Sequence, residues 1–166
     1  TFGSATVRFA TGFKSTQDLL IFTPNVLVGN ITGSYNAVTG VLTLTSAGGT
    51  ASLIQWQAAL RNVRYDNASQ NPSATPRVVE YRLTDGAFQS NVLGRIVEVV
   101  PANDRPNAQS ASLSTNEDVP LAINLIGSDP DSERLTFMLQ TFPQHGTLTG
   151  AALVLATWYA RDAGRP

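Results

Sequence analysis

Acidic residues are concentrated in one stretch of this chain. Residues 104–166 contain seven Asp and Glu, and six of these lie between Asp104 and Glu133. Residues 1–103, although more numerous, contain only five acids. Carboxylate and amide oxygens are the ligands of a hard cation such as Ca²⁺, which takes about six to eight of them. Calcium binding is therefore the first chemistry that these residues suggest.

Two separated segments could together form one calcium site. Asn103 and Asp104 lie in VPANDRPNAQ, whereas Asp129 and Asp131 lie in SDPDSE. If a β-sandwich strand leaves Asp104, the loop between the second and third strands returns to the same end of the sandwich. We therefore expect these four side chains to converge. Asp66, in the YDNASQNPS loop of the preceding sequence, is a further expected ligand.

Turn formation is the alternative explanation of the same residues. Asx side chains accept hydrogen bonds from the backbone and proline fixes φ, so Asn-Asp-x-Pro and Asp-Pro-Asp favour turns without any bound ion. An EF-hand is excluded, because the sixth residue counted from Asp129 is Arg134, where that loop requires glycine. The residues leave both the turn and the calcium interpretation open.

Short runs of alternating apolar and polar residues, punctuated by Gly, Asn and Pro, predict a mainly β fold. NITGSYNAVTGVLTLTSAGG is typical of a hairpin that turns at residues 36–40, and RVVEYRLTDG and NVLGRIVEVV predict an antiparallel pair joined at Asp85-Gly86. ATVRFATGF and DLLIFTP predict two further strands. The residues expected to face inward are Ala5, Val7, Phe9, Leu42, Leu44, Val79, Tyr81 and Leu83.

One segment, TASLIQWQAALRNVRYDN, has apolar residues at helical spacing instead. These residues are Leu53, Trp56, Leu60 and Val63. Ser52 followed by Gln55 matches a capping box, in which each side chain accepts a hydrogen bond from a backbone N–H at the start of the helix. We predict a short helix over one end of a sandwich, with Leu60 facing the sheet.

The stretch VPANDRPNAQ, bounded by Pro101 and Pro106, interrupts the strand pattern and indicates a junction between two domains. We predict one β-sandwich in residues 1–102 and the start of a second in residues 103–166. Since about seven strands close such a sandwich, the second is expected to be truncated. VPLAINLIG and RLTFMLQTF predict two of its strands, with inward residues Leu121, Ile123, Leu125, Leu135, Phe137 and Leu139.

Several of these segments together carry a family likeness. VVPANDRPN, TNEDVPLAINLIGSDPDSERLTF and PQHGTLTG resemble the cadherin-like, immunoglobulin-like tandem repeats of very large bacterial surface and secreted proteins. ATVRFATGF, TGSYNAVTGVLTLT, WQAALRNVRYDN and RVVEYRLTDG resemble another repeat type that often precedes them. Compared with that type, residues 1–102 lack the expected first strand, and the sequence of residues 151–166 departs from the expected continuation.

The resemblance implies immunoglobulin- or cadherin-like β-sandwich repeats in tandem, with calcium bound between domains. Glu117 and Asp118, in the turn after the first strand of the second repeat, would then serve a downstream junction. The implied function is a non-enzymatic spacer or adhesion repeat of a large bacterial surface protein, located outside the cell. The implied partners are neighbouring repeats of the same chain, other surface proteins, or glycans.

Catalysis has little support in the sequence. His145 is the only histidine, cysteine is absent, and no G-x-S-x-G nucleophile elbow occurs. The net charge of -1 gives no general attraction to nucleic acid or to an anionic membrane. No apolar run approaches the roughly 18–20 residues of a membrane-spanning helix. We therefore expect neither an enzyme, nor a nucleic-acid partner, nor a membrane span.

A carbohydrate-binding β-sandwich module is the alternative function. Such modules hold sugars against exposed aromatic rings, and an aromatic side chain presents a large apolar surface with a polar tip. The candidate aromatic residues are Tyr35, Trp56, Trp158 and Tyr159.

Overall fold

The computed structural model describes residues 2–131, 134–141 and 143–150. The chain divides into two compact units between Pro101 and Ala102, one residue from the boundary expected from the sequence. The described residues are mainly β, with antiparallel strands and one short α-helix, as predicted. None of the helices in these residues has the length and apolar character needed to cross a membrane.

The first unit contains seven strands and the helix, which form two antiparallel sheets. The strands are β1 (Ser4–Thr11), β2 (Asp18–Phe22), β3 (Ile31–Asn36), β4 (Val41–Ser46), β5 (Val63–Asn67), β6 (Arg77–Thr84) and β7 (Leu93–Val97), and the helix is α1 (Leu53–Arg61). The larger sheet has the strand order β3-β4-β1-β6-β7, and the smaller sheet pairs β2 with β5.

Strand β1 lies at the centre of the larger sheet and supplies the middle of the core. Ala5, Val7 and Phe9 alternate with polar residues and are buried, because successive side chains of a strand point to opposite faces. Ala5 pairs with Leu44 and Val7 with Leu42, and both leucines are buried. The inward faces predicted for β1 and β4 are therefore confirmed.

The smaller sheet packs on this inner face of the larger one. Strand β2 contacts β3 and β4, and the Tyr35 hydroxyl on β3 donates a hydrogen bond of 3.0 Å to the backbone carbonyl of Asp18 on β2. Strand β5 lies over β1, where the rings of Tyr65 and Phe9 meet edge to face with centroids 6.1 Å apart. The core of the first unit is enclosed between these two layers.

The predicted hairpin joins β3 to β4 and turns where expected. The Gly40 N–H donates to the carbonyl of Asn36 over 2.9 Å. Gly40 has a φ of +68°, and a Cβ there would lie 2.9 Å from the rings of Phe9 and Phe13. Any other residue would therefore be strained by its backbone and would also collide with the two stacked rings.

The predicted capping box begins helix α1. The Ser52 side chain accepts from the Gln55 N–H over 3.3 Å, and the Gln55 side chain accepts from the Ser52 N–H over 2.8 Å. Trp56 and Ala59 are buried against the core, and Leu60 is half-buried beside it. The helix therefore packs through one face, with Leu60 on the side that was predicted.

Two details of the helix prediction were wrong. Leu53 is 59% exposed, because it is the first helical residue and lies outside the packed face. Val63 belongs to strand β5, because the helix ends at Arg61 and Asn62 forms its C-cap. The helical spacing of apolar residues continues past Arg61 into β5, so the spacing alone did not show where the helix ends.

The second unit contains strands β8 (Asn107–Gln109) and β9 (Ile126–Ser128), which pair antiparallel with Ala108 opposite Gly127. A Cβ at Gly127 would lie 2.9 Å from Leu135 Cδ1 and 3.3 Å from the Phe137 ring. Glycine at this position therefore allows the two side chains to pack directly against the strand. Leu135 and Phe137 are half-buried, as expected of inward residues, but the strand predicted over RLTFMLQTF was wrong, because residues 134–138 form no strand.

The strand predicted over VPLAINLIG was mostly wrong. Only the end of this segment belongs to β9, and Leu121, Ile123 and Leu125 are exposed. Alternation marks the residues that one face of a strand would bury, but burial also requires an opposing layer. Among the described residues of this unit, no second sheet covers that face.

Candidate functional site

The acidic segments of the second unit lie together. The Asp104 N–H donates to the Asp131 carboxylate, which joins two segments that are 27 residues apart in sequence. The Asp131 N–H in turn donates to Asp129 Oδ1 over 2.8 Å, which closes an Asx turn around Pro130. The Asn103 side chain donates to the Asp104 carbonyl over 3.0 Å. The four residues named for this cluster are thus neighbours, linked by hydrogen bonds between side chains and backbone groups.

These hydrogen bonds are the ones expected if the residues form turns. The same carboxylates are also suitable ligands for a hard cation. Asp104, Asp129 and Asp131 are half-buried, and Asn103 is exposed. Within residues 2–131, 134–141 and 143–150, however, no three acidic or histidine side chains converge closely enough to hold a metal ion. Calcium ligation would therefore need backbone carbonyls and water in addition to the carboxylates, and it stays a prediction.

The other acids named for calcium occupy different positions. Asp66 is exposed on β5, opposite Leu19, and so belongs to a strand rather than to the following loop as expected. Glu117 and Asp118 are exposed and lie in a turn in which the Val119 N–H donates to the Asn116 carbonyl over 3.3 Å.

The aromatic residues proposed for glycan binding lie in unsuitable positions where the structure describes them. Trp56 is buried, and its Nε1–H donates to the Phe2 carbonyl over 3.2 Å. Tyr35 is half-buried, with its hydroxyl bound to the backbone of β2. Trp158 and Tyr159 lie outside the described residues. The assignment of Trp56 as an exposed sugar-binding residue was therefore wrong, because its side chain is part of the core.

A buried ion pair in the first unit was not predicted from the sequence. Asp18 begins β2 and Arg77 begins β6, and both side chains are fully buried. Arg77 Nε lies 3.1 Å from each carboxylate oxygen of Asp18, and Nη2 lies 3.0 Å from Oδ1. The pair therefore ties the smaller sheet to the larger one in the interior of the unit.

Further donors surround the Asp18 carboxylate. The Tyr65 hydroxyl donates to Oδ1 over 2.7 Å, and Asn67 Nδ2 donates to the same oxygen over 2.9 Å. The Lys14 N–H donates to Oδ2 over 2.7 Å. Both carboxylate oxygens thus accept several hydrogen bonds, as a buried charge requires.

The guanidinium of Arg77 is also held by the loop that precedes β6. Its Nη1 donates to the backbone carbonyls of Ser73 and Thr75. The loop is itself fixed to the start of β2, because the Ser73 N–H donates to Gln17 Oε1 over 3.2 Å. The ion pair therefore organises one end of the first unit as well as joining its layers.

The surroundings of Asp18 keep it ionised. Burial alone raises the pKa of its carboxyl, but hydrogen bonds from Arg77, Tyr65 and the Lys14 N–H, with the Arg77 charge, bring the pKa below its ordinary value of 3.8. Burial and the charge of Asp18 raise the pKa of Tyr35, and burial raises that of Tyr65 despite the hydrogen bond from Asn67. The carboxylate is negative and both phenols are neutral at physiological pH.

This network is suited to holding the fold together rather than to chemistry on a substrate. The carboxylate accepts hydrogen bonds at both oxygens, the guanidinium donates through Nε and Nη1, and neither side chain is exposed to solvent. The sequence did contain a signal for it. Asp18 and Arg77 stand two residues before the buried Leu20 and Val79, so strand alternation places both charges on the inward face.

Neither a protein-family model, nor a curated protein, nor a solved structure matches this chain.

Proposed function

We propose that this chain is a non-enzymatic spacer or adhesion segment of a large extracellular bacterial surface protein, made of immunoglobulin- or cadherin-like β-sandwich repeats in tandem. The observation that carries the proposal is the meeting of two acidic segments near the start of the second unit. That unit begins at Ala102, and two residues further on the Asp104 N–H donates to the Asp131 carboxylate.

The chemistry of the first unit favours a structural role. Its buried charges, Asp18 and Arg77, are paired with each other within the core. The only histidine of the chain, His145, is exposed in the second unit. A module that transmits or resists force needs a cohesive core, and an ion pair that joins two sheets contributes to one.

Calcium is the proposed ligand of the acidic cluster formed by Asn103, Asp104, Asp129 and Asp131. Their carboxylate and amide oxygens would provide part of the coordination shell, and backbone carbonyls and water would complete it. Extracellular calcium modules bind at about 10⁻⁴–10⁻³ M, which matches a site made of a few carboxylates in turns. The ion would stiffen the beginning of the second unit.

Titration calorimetry with calcium tests this proposal. We expect binding at about millimolar calcium or tighter, and we expect Asp131→Asn to abolish it, because that carboxylate holds the two segments together. Glu117→Gln is the matched control, since it removes one negative charge from an exposed turn of the same unit. Binding that is lost equally in both variants, or absent from the unmodified chain, would contradict a calcium role for the cluster.

The glycan alternative predicts a different result. A carbohydrate-binding module should be retained on a polysaccharide column, whereas a spacer should elute with the void volume. The two described candidates do not favour retention, because Trp56 is buried and the Tyr35 hydroxyl is bound to β2. Retention that a soluble sugar reverses would replace the spacer proposal with the glycan alternative.

A further inference from the structure

The two layers of the first unit are unequal in size. The larger sheet has five strands and the smaller sheet has two. Strand β2 contacts β3 and β4, and β5 lies over β1 through the Tyr65–Phe9 ring contact. The Asp18–Arg77 pair covers the start of β6, which Arg77 begins. The far end of β6 and strand β7 are a less covered part of the inner face, as the burial of their side chains shows.

The side chains of the inner face become more exposed along β6 and from β6 to β7. Val79 on β6 is 2% exposed, Tyr81 and Leu83 further along that strand are half-buried, and Leu93 on β7 is 65% exposed. Leu93 lies directly opposite Tyr81 in the sheet, so it shares the inward face. An apolar residue on an inward face normally loses its solvent contact to an opposing layer. Leu93 and its neighbours are therefore an apolar surface suited to contact.

An opening of about 520 Å³ lies at this place. Its apolar surface comes from Leu60 on α1, Val63 on β5, Tyr81 and Leu83 on β6, and Leu93 on β7. We name this opening the β5–β7 groove. Within the described part of the chain, β5 pairs only with β2 and β7 pairs only with β6. The groove thus lies between two strand edges that can each accept a further strand.

The charges of the groove indicate the chemistry of its occupant. Among the described residues that line the groove, Arg61 and Arg95 are charged and none is acidic. Arg95 stands opposite Val79, so it belongs to the inward face and not to the outer surface of the sheet. An arginine in a partly apolar opening is best satisfied by a carboxylate, which can accept two parallel hydrogen bonds from it.

We propose that the β5–β7 groove binds an extended segment of another protein, which adds to the free edge of β5 as a third strand of the smaller sheet. Apolar side chains of one face of the segment pack on Tyr81, Leu83 and Leu93, and an Asp or Glu on that face pairs with Arg95. Backbone hydrogen bonds to a strand edge supply affinity, and the pockets for alternate side chains supply selectivity. This inference does not depend on calcium or on the spacer function.

A synthetic peptide tests the proposal. The probe is a fluorescein-labelled ten-residue peptide that alternates valine and threonine and carries one glutamate in place of a central valine. We expect saturable binding to the 166-residue chain by fluorescence anisotropy, and binding about tenfold weaker when lysine replaces the glutamate. A peptide of the same composition with a proline at its centre should not bind, because proline removes a donor and breaks strand pairing.

Charge reversal in the protein is the decisive variant. Arg95→Glu should reverse the preference, so that the lysine peptide binds more tightly than the glutamate peptide. Arg82→Glu is the control, since it makes the same charge change on the outward face of β6. Leu93→Gln should weaken binding of both peptides while leaving the melting temperature nearly unchanged, because Leu93 is already largely exposed.

Three results would overturn the proposal. The first is the absence of saturable binding up to about 1 mM peptide. The second is equal binding of the proline-containing peptide, which would exclude strand addition. The third is a dimer of the chain in sedimentation that Arg95→Glu dissociates, which would make a second copy of this chain the occupant of the groove.

Discussion

At the scale of single residues, the Asp18 carboxylate is the most consequential group in the first unit. It accepts hydrogen bonds from a loop N–H, from two side chains of β5 and from a guanidinium of β6. A buried ion pair contributes little compared with well-packed apolar residues, but removal of one partner leaves an uncompensated buried charge. The Asp18–Arg77 pair is therefore a point at which a single substitution has a large effect.

Asp18→Asn should lower the free energy of unfolding by about 3–5 kcal/mol at neutral pH, since it leaves the buried Arg77 charge without its partner. Asp66→Asn makes the same chemical change on the exposed side of β5 and should cost less than about 0.5 kcal/mol. Urea denaturation of both variants and of the unmodified chain measures these differences. Equal costs would mean that the ion pair does not support the fold.

The contribution of Asp18 to stability should depend on pH. Its pKa is lowered in the folded protein, so folding favours the ionised form, and the contribution is complete above the ordinary value of 3.8. It is lost as the pH falls through the folded pKa. The difference in unfolding free energy between the unmodified chain and Asp18→Asn should therefore be constant near neutral pH and shrink below about pH 4. If this difference in unfolding free energy instead grew as the pH fell, the pKa of Asp18 could not be lowered by folding.

At the scale of elements, helix α1 covers one end of the core through a narrow face. Trp56 and Ala59 are buried, whereas Leu53 and Ile54 are exposed although they belong to the same apolar run. The capping box fixes where the helix starts, and that start decides which residues face the core. Apolar residues at the first turn of a helix are therefore poor indicators of its buried side.

The helix provides a matched pair of substitutions. Trp56→Ala should cost about 3–5 kcal/mol, as deletion of a large buried side chain does. Ile54→Ala, two residues away and 78% exposed, should stay within about 0.5 kcal/mol. Chemical denaturation monitored by circular dichroism measures both. A large loss of unfolding free energy in Ile54→Ala would show that the buried face of α1 has been assigned incorrectly.

The features that could be predicted from the sequence are those whose residues lie close together along the chain. The hairpin between β3 and β4 was predictable because residues 36–40 carry the turn and Leu42 and Leu44 alternate beside it. The capping box was predictable because Ser52 and Gln55 are three residues apart. By contrast, Asp18 and Arg77 are 59 residues apart, and nothing in the neighbourhood of either one shows that the other will meet it.

The candidate calcium cluster and the β5–β7 groove show the same limit. Asp-Pro-Asp predicts a turn from local chemistry alone, and its meeting with Asp104 required an assumption about strand order. The groove depends on which strands of one sheet lie over which strands of the other, and alternation within a strand contains no such information. For the same reason, the apolar residues at 121, 123 and 125 were expected to be buried and are exposed.

At the scale of the whole chain, the division between Pro101 and Ala102 separates two compact units. The first contains both its buried ion pair and its own core, so its stability has local sources. A chain that ends at Pro101 should therefore retain a cooperative thermal unfolding transition, with a midpoint within a few degrees of the corresponding transition of the longer chain. A non-cooperative melting curve for residues 1–101 would mean that the first unit depends on the second.

The central claim of the functional proposal is that calcium stabilises the beginning of the second unit. Thermal unfolding of the 166-residue chain, in chelator and in about 10 mM calcium, tests it most directly. Binding to the native state at about 100-fold excess over the dissociation constant adds about 2.7 kcal/mol of stability. We predict that calcium raises the unfolding midpoint of the unit that begins at Ala102, and that Asp131→Asn removes the increase. Identical melting curves in chelator and in calcium would contradict the claim and leave the Asp104–Asp131 cluster as a proline-stiffened turn.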